Sequence, residues 1–114
     1  MPEYALIFRT TRPVDPAALS ARNAAARDWA IALRERGVLR TASPLEEEGR
    51  VVRQDGVELV VGGDGGAIAI ASVLVIEAES LDAATSLAEG HPGLAYGTEI
   101  EVRPLKSVVL PPSR

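Results

Sequence analysis

Apolar positions along the chain fall into six stretches at strand spacing and two at helical spacing. Ile68-Ala69-Ile70-Ala71-Ser72-Val73-Leu74-Val75-Ile76 is apolar on both alternating faces, so it is expected as a strand buried on both sides. Glu3-Tyr4-Ala5-Leu6-Ile7-Phe8-Arg9 shares that character in its middle and is expected beside it in the sheet. Between them, Leu19, Ala26, Ala30 and Leu33 mark one face of a helix from Pro16 to about Arg36, with Ala25 and Trp29 flanking it; Arg22, Arg27, Arg34 and Arg36 fall largely outside that face. Asp15-Pro16 starts this helix by capping chemistry and Gly37 ends it. Val38 to Ala42 reads as a short strand stopped by Ser43-Pro44. Arg50-Val51-Val52-Arg53 and Val57 to Val61 flank Gln54-Asp55-Gly56, whose Asp-Gly pair predicts a tight hairpin with positive backbone angles. Gly62 to Gly66 is a flexible connection into the buried strand. A second helix opens at Ser80-Leu81-Asp82, with Ser80 as N-cap, and stops at Gly90, His91 and Pro92, where Gly90 is expected in the left-handed cap conformation. Tyr96 to Arg103 is an alternating last strand ended by Pro104.

The order strand, helix, strand, hairpin, strand, helix, strand predicts an α+β fold, a ferredoxin-like split βαβ domain with an added β-hairpin. The domain is expected over residues 1–105, with 106–114 as a C-terminal tail. Two helices cover only one face of such a sheet. At about 25 cal/mol per Å2, several Ala, Val, Leu and Ile side chains left wet on the other face would cost several kcal/mol, comparable with the stability of a small domain. A second copy is the simplest cover, which predicts a homodimer built as a dimeric α+β barrel.

Composition narrows the chemistry. The net charge of −4 and the dispersed arginines argue against nucleic-acid binding. The chain has no cysteine, which removes disulfides, thiolate nucleophiles and cysteine metal sites. No run approaches the ~18 apolar residues of a membrane span and no signal-peptide pattern opens the chain, so a cytoplasmic protein without a membrane partner is expected.

Several blocks carry a family resemblance in their order: Tyr4 to Arg9, Trp29, Arg36-Gly37-Val38-Leu39, Glu77 to Ala84, His91-Pro92-Gly93, Gly97, and Glu101-Val102-Arg103-Pro104. With these the chain resembles the YCII-related family, in the branch called DGPF-domain proteins. The resemblance implies a ferredoxin-like dimeric barrel and a family mostly without established function. Relatives often carry a histidine in the middle of the first helix, proposed to act with an acidic partner; here that position corresponds to Ala26. The Asp-Gly-Pro-Phe signature is absent, its nearest equivalent being Asp64-Gly65-Gly66-Ala67.

His91, the single histidine, can be a general base if a carboxylate orients it, or can end the second helix and favour its carbonyl end when protonated. Glu99, Glu101 and Arg103 share one face of the last strand and form either paired charges or, with Arg9, a polar ligand site. The glycine run lacks a following Lys-Ser or Lys-Thr and leads into a strand, so it is no phosphate loop. The serines lack a nucleophile-elbow context, and no metal-ligand spacing is present, so no catalytic residue, metal or cofactor is assigned.

Two functional classes stay open. The first is a homodimeric small-molecule-binding protein or degenerate enzyme with its pocket between the first helix and the sheet, or inside the barrel; Arg9, Trp29, His91, Glu101 and Arg103 are its candidate lining. The second is a non-catalytic dimeric regulatory module. DGPF-type relatives occur beside sigma factors, which implies a link to transcription without direct DNA contact. Loss of the helix-one histidine tilts the balance away from catalysis.

Overall fold

Strand β1 (Glu3–Thr10) is apolar on both faces in its middle and is an inner strand, paired along both edges. The computed structural model describes residues 1–61, 70–107 and 111–112. After β1 come helix α1 (Pro16–Glu35), β2 (Leu39–Pro44), the hairpin strands β3 (Glu48–Arg53) and β4 (Gly56–Val61), then β5 (Ile70–Glu77), α2 (Leu81–Glu89) and β6 (Thr98–Pro104). The four-stranded sheet runs β2-β5-β1-β6 with every neighbour antiparallel, and β3 and β4 pair separately. With the hairpin set aside this is the ferredoxin-like order, so the fold is α+β as expected.

Register divides the sheet by parity. Tyr4, Leu6 and Phe8 stand beside Ile76, Leu74 and Ser72 of β5 and beside Pro104, Val102 and Ile100 of β6. Of these, Tyr4, Leu6, Phe8, Leu74 and Ile76 form the buried core with Leu33, Ala84 and Ala88 of the helices, and Ile100 and Val102 pack against it. The opposite parity gives the other face: Ala5, Ile7, Val73 and Val75 form a short apolar strip. Ala5 is buried and the other three are half-buried, so this strip is narrower and drier than the sequence pattern suggests.

Helix α1 is capped by Asp15, whose carboxylate accepts from the amides of Ala17 and Ala18 at 3.1 Å. Gly37 follows it at φ 73°, a conformation that favours glycine. The predicted apolar stripe does not all lie on the sheet. Leu33 alone is buried among the residues of α1, whereas Leu19, Ala26 and Ala30 line a cavity. The helix rests on β2 and on the turn after α2, and its first half stands away from the strands.

Three local expectations are corrected. Gly90 has φ −83° and is not left-handed; its amide closes α2 by donating to the carbonyl of Leu87 at 3.2 Å. Residues Pro92–Tyr96 form a 3-10 turn, so the last strand begins at Thr98, and the left-handed glycine is Gly97 at φ 88°. In the hairpin, Arg53 pairs with Gly56, leaving Gln54-Asp55 as the two-residue turn; the positive angle falls on Gly56, beyond the turn's centre. The glycine run 62–66, the first two residues of the expected strand at 68 and 69, and the apolar patch 108–110 lie outside the described residues.

Leu33→Ala should lower unfolding free energy by about 2–5 kcal/mol, through lost burial and a residual cavity in the core. Urea denaturation at neutral pH measures it, and a change within error would mean that α1 does not rest on this contact.

Candidate functional site

A cavity of about 1010 Å3 lies between α1 and the helix-facing side of the sheet. Phe8, Trp29 and His91 form part of its wall, and Arg22, Ser72 and Thr98 add polar groups. Glu46 to Arg50, leading from β2 into the hairpin, also line it.

His91 reaches this wall because α2 ends at Glu89 and is capped by Gly90, immediately before it. Its backbone amide donates to the carbonyl of Ala88 at 3.0 Å, and the chain then turns through Pro92. The imidazole folds back to cap the 3-10 turn, its Nδ1 accepting the amide of Gly93 at 2.9 Å. Glycine is needed there. A Cβ on Gly93 would meet Cε1 and Nδ1 of the imidazole and Oγ1 of Thr98, each at 2.9 Å. The ring meets Trp29 edge-on at 4.7 Å between centroids and Phe8 at 4.8 Å, with interplanar angles of 75° and 67°.

This environment fixes the ring's charge. Burial, reinforced by the positive charge of Arg22, lowers the His91 pKa to about 4, so the imidazole is neutral at pH 7. A neutral ring whose Nδ1 accepts carries its proton on Nε2. His91 ends α2 as expected, but as an uncharged ring in the cavity wall it brings no cation to the carbonyl end of the helix at pH 7. Ala26 also lines the cavity, so a side chain at the position where relatives often place histidine would face the same space.

The five candidate lining residues divide between the two faces of the sheet. Trp29 and His91 come together at the cavity. Arg9, Glu101 and Arg103 come together on the opposite side, where Glu101 receives Arg9 at 2.7 Å and Arg103 at 3.1 Å. The hydrogen bond from Arg103, then that from Arg9, holds the Glu101 carboxyl below the usual carboxylate range. Glu99 pairs in register with Arg9 on that face. Arg22, expected outside the packed surface, is half-buried at the cavity, as are Thr98 and Ser72. Arg22 stands three residues after Leu19 and four before Ala26, so helical spacing puts it on the same face as the apolar stripe, and its charge was the reason it was set outside. Among the described residues, no cluster of three or more metal-binding side chains occurs, and no helix is long and apolar enough to cross a membrane.

Residues 4–107 match the model of the YCII-related domain, and the chain belongs to that family. No curated protein matches the sequence. Among solved structures, the chain is similar to 5-chloro-2-hydroxyhydroquinone dehydrochlorinase (TftG) from Burkholderia phenoliruptrix AC1100, determined in complex with 2,5-dihydroxybenzoquinone. The TM-score is 0.58 at 22% identity, over 90% of this chain and 93% of that one, a likeness of fold.

Stability should depend on pH through His91. The unfolded imidazole takes up its proton near pH 6.5 and the folded one near pH 4, so stability from this group is complete above pH 6.5 and declines as pH falls toward 4. The full loss is about 3 kcal/mol. Urea midpoints across that window should fall for the natural chain and stay flatter for His91→Phe; equal slopes would contradict a buried neutral ring.

Proposed function

We propose that this protein is a homodimeric, cytoplasmic small-molecule-binding member of the YCII-related family, with its ligand held between α1 and the sheet. The carrying observation is the cavity itself, partly walled by aromatic rings and bordered by a buried neutral imidazole whose orientation the Gly93 amide sets. Largely apolar concavities with a few convergent polar groups are the usual form of small-molecule sites. The geometry favours binding over acid–base turnover. Nδ1 of His91 is engaged by a backbone amide, Nε2 already bears the proton, and Ala26 supplies no second base. The structurally similar dehydrochlorinase holds a flat oxygenated ring, 2,5-dihydroxybenzoquinone, and a ring of that size is well within this cavity.

Dimerisation through the open face is supported by the strip of Ala5, Ile7, Val73 and Val75, flanked by the Arg9–Glu101–Arg103 ion pairs. Stacking two such strips in an isologous interface would remove both from water and leave the ion pairs beside the seam.

A thermal-shift series with oxygenated aromatic compounds, 2,5-dihydroxybenzoquinone included, should raise the melting temperature, because a ligand that binds only the folded chain stabilises it by mass action. Uniform failure of flat aromatic compounds, with a Trp29 signal indifferent to all of them, would remove the binding reading. Sedimentation at micromolar concentration should show a dimer, and Val73→Lys should shift it toward monomer. A natural chain that sediments as a monomer would refute the open-face interface.

A further inference from the structure

Three observations converge on one edge of the cavity. First, the His91 ring cannot turn freely: Gly93 donates to Nδ1, and Phe8 and Trp29 meet the ring edge-on. Second, among the described residues Nε2 takes part in no hydrogen bond, yet no fully buried side-chain nitrogen or oxygen is left without a partner. The Nε2–H edge is therefore not sealed in protein, and His91 borders the cavity. Third, Arg22 lines the same cavity half-buried, close enough for its charge to act on the ring. Its guanidinium donates to the neighbouring Asn23 side chain at 3.0 and 3.3 Å, and it is absent from the chain's ion pairs among the described residues.

From this arrangement we infer that the cavity contains an anion subsite, in which Nε2–H of His91 and the guanidinium of Arg22 receive the carboxylate or phenolate oxygen of a small aromatic acid while its ring lies in the apolar part of the cavity. This rests on the reading of the cavity as a ligand site and goes beyond it by specifying the ligand's chemistry. The physical case is one of matched donors. A neutral imidazole with Nδ1 engaged presents a single fixed N–H, and a fixed donor costs little reorganisation when an acceptor arrives. Arg22 supplies the charge that the neutral ring does not, and a charge-assisted hydrogen bond is roughly twice as strong as a neutral one. The acidic groups Glu46 and Glu47, between β2 and β3, and Glu48, the first residue of β3 and paired with Arg50 at 3.7 Å, come from elements other than α1. Their presence disfavours a ligand charged at both ends with negative groups and favours one with a single anionic end beside α1.

The chain has one histidine and one tryptophan, so both reporters are single resonances. In 15N-labelled full chain, imidazole nitrogen shifts should show the Nε2–H form at pH 7. Benzoate should then move the His91 Nε2 and Trp29 indole signals, and benzamide, its neutral counterpart, should bind at least ~10-fold more weakly. Arg22→Gln should bring benzoate close to the level of benzamide, weakening benzoate by a much larger factor than benzamide, while His91→Phe should weaken both. If His91→Phe does not fold, the Arg22→Gln comparison and the tautomer measurement decide. Equal binding of the two probes, an Nδ1–H ring, or benzoate binding untouched by Arg22→Gln would overturn the anion subsite while a responsive Trp29 kept the cavity as a ligand site. Failure of both probes to move Trp29 would overturn the two readings together.

Discussion

Three rings from three separated segments meet over the centre of the sheet: Phe8 from β1, Trp29 from α1 and His91 from the turn after α2. Their edge-to-face contacts help fasten the second half of α1 to the rest of the molecule. The first half of the helix, lacking a buried anchor, stands off from the strands. The cavity is thus a consequence of where the helix is supported. A charged imidazole would bring an unpaired cation into this contact, which is why the neutral state of His91 and the position of α1 belong to the same physical problem.

The pleat of the sheet separates two kinds of chemistry. Phe8 and Arg9 are adjacent in sequence and point to opposite sides, one into the aromatic group and the other to Glu101. The helix-facing side therefore holds neutral rings and a large space, and the open side holds a small apolar strip with ion pairs at its edge. Exposed pairs of that kind add little stability. Their clearer effect is to set charge at the border of the strip, where orientation of a partner surface can be selected.

Much of this was legible in the sequence. Two-sided apolarity marked β1 and β5 as the inner strands of the sheet, and the caps at Asp15 and Ser80 marked both helix starts because capping is local chemistry. The site was only partly legible. Trp29 and His91 were recognised as candidates, whereas Arg22 was set aside for its charge although it shares a helix face with Leu19 and Ala26. Nor does a terminating Gly-His-Pro sequence reveal that the imidazole folds inward, since that depends on Phe8 and Trp29 arriving from elsewhere. Arg9, Glu101 and Arg103 were rightly grouped with one another, and the strand pairing that puts them behind the sheet from Trp29 emerges only in three dimensions.

The separate β3–β4 hairpin bears on how the chain finds its fold. Strands β2 and β5 pair side by side although a long segment separates them, and closing a loop of that length costs entropy that grows with the logarithm of its length. The hairpin is a contact between sequence neighbours, from Arg53 opposite Gly56 outward to Glu48 opposite Val61. Once it forms, the ends of the intervening segment are drawn together before β2 meets β5. If the hairpin forms first, this local structure outside the main sheet shortens the loop to be closed for one of the sheet's own pairings, and the turn at Gln54-Asp55 would then act on the rate of folding as well as on the shape of the product.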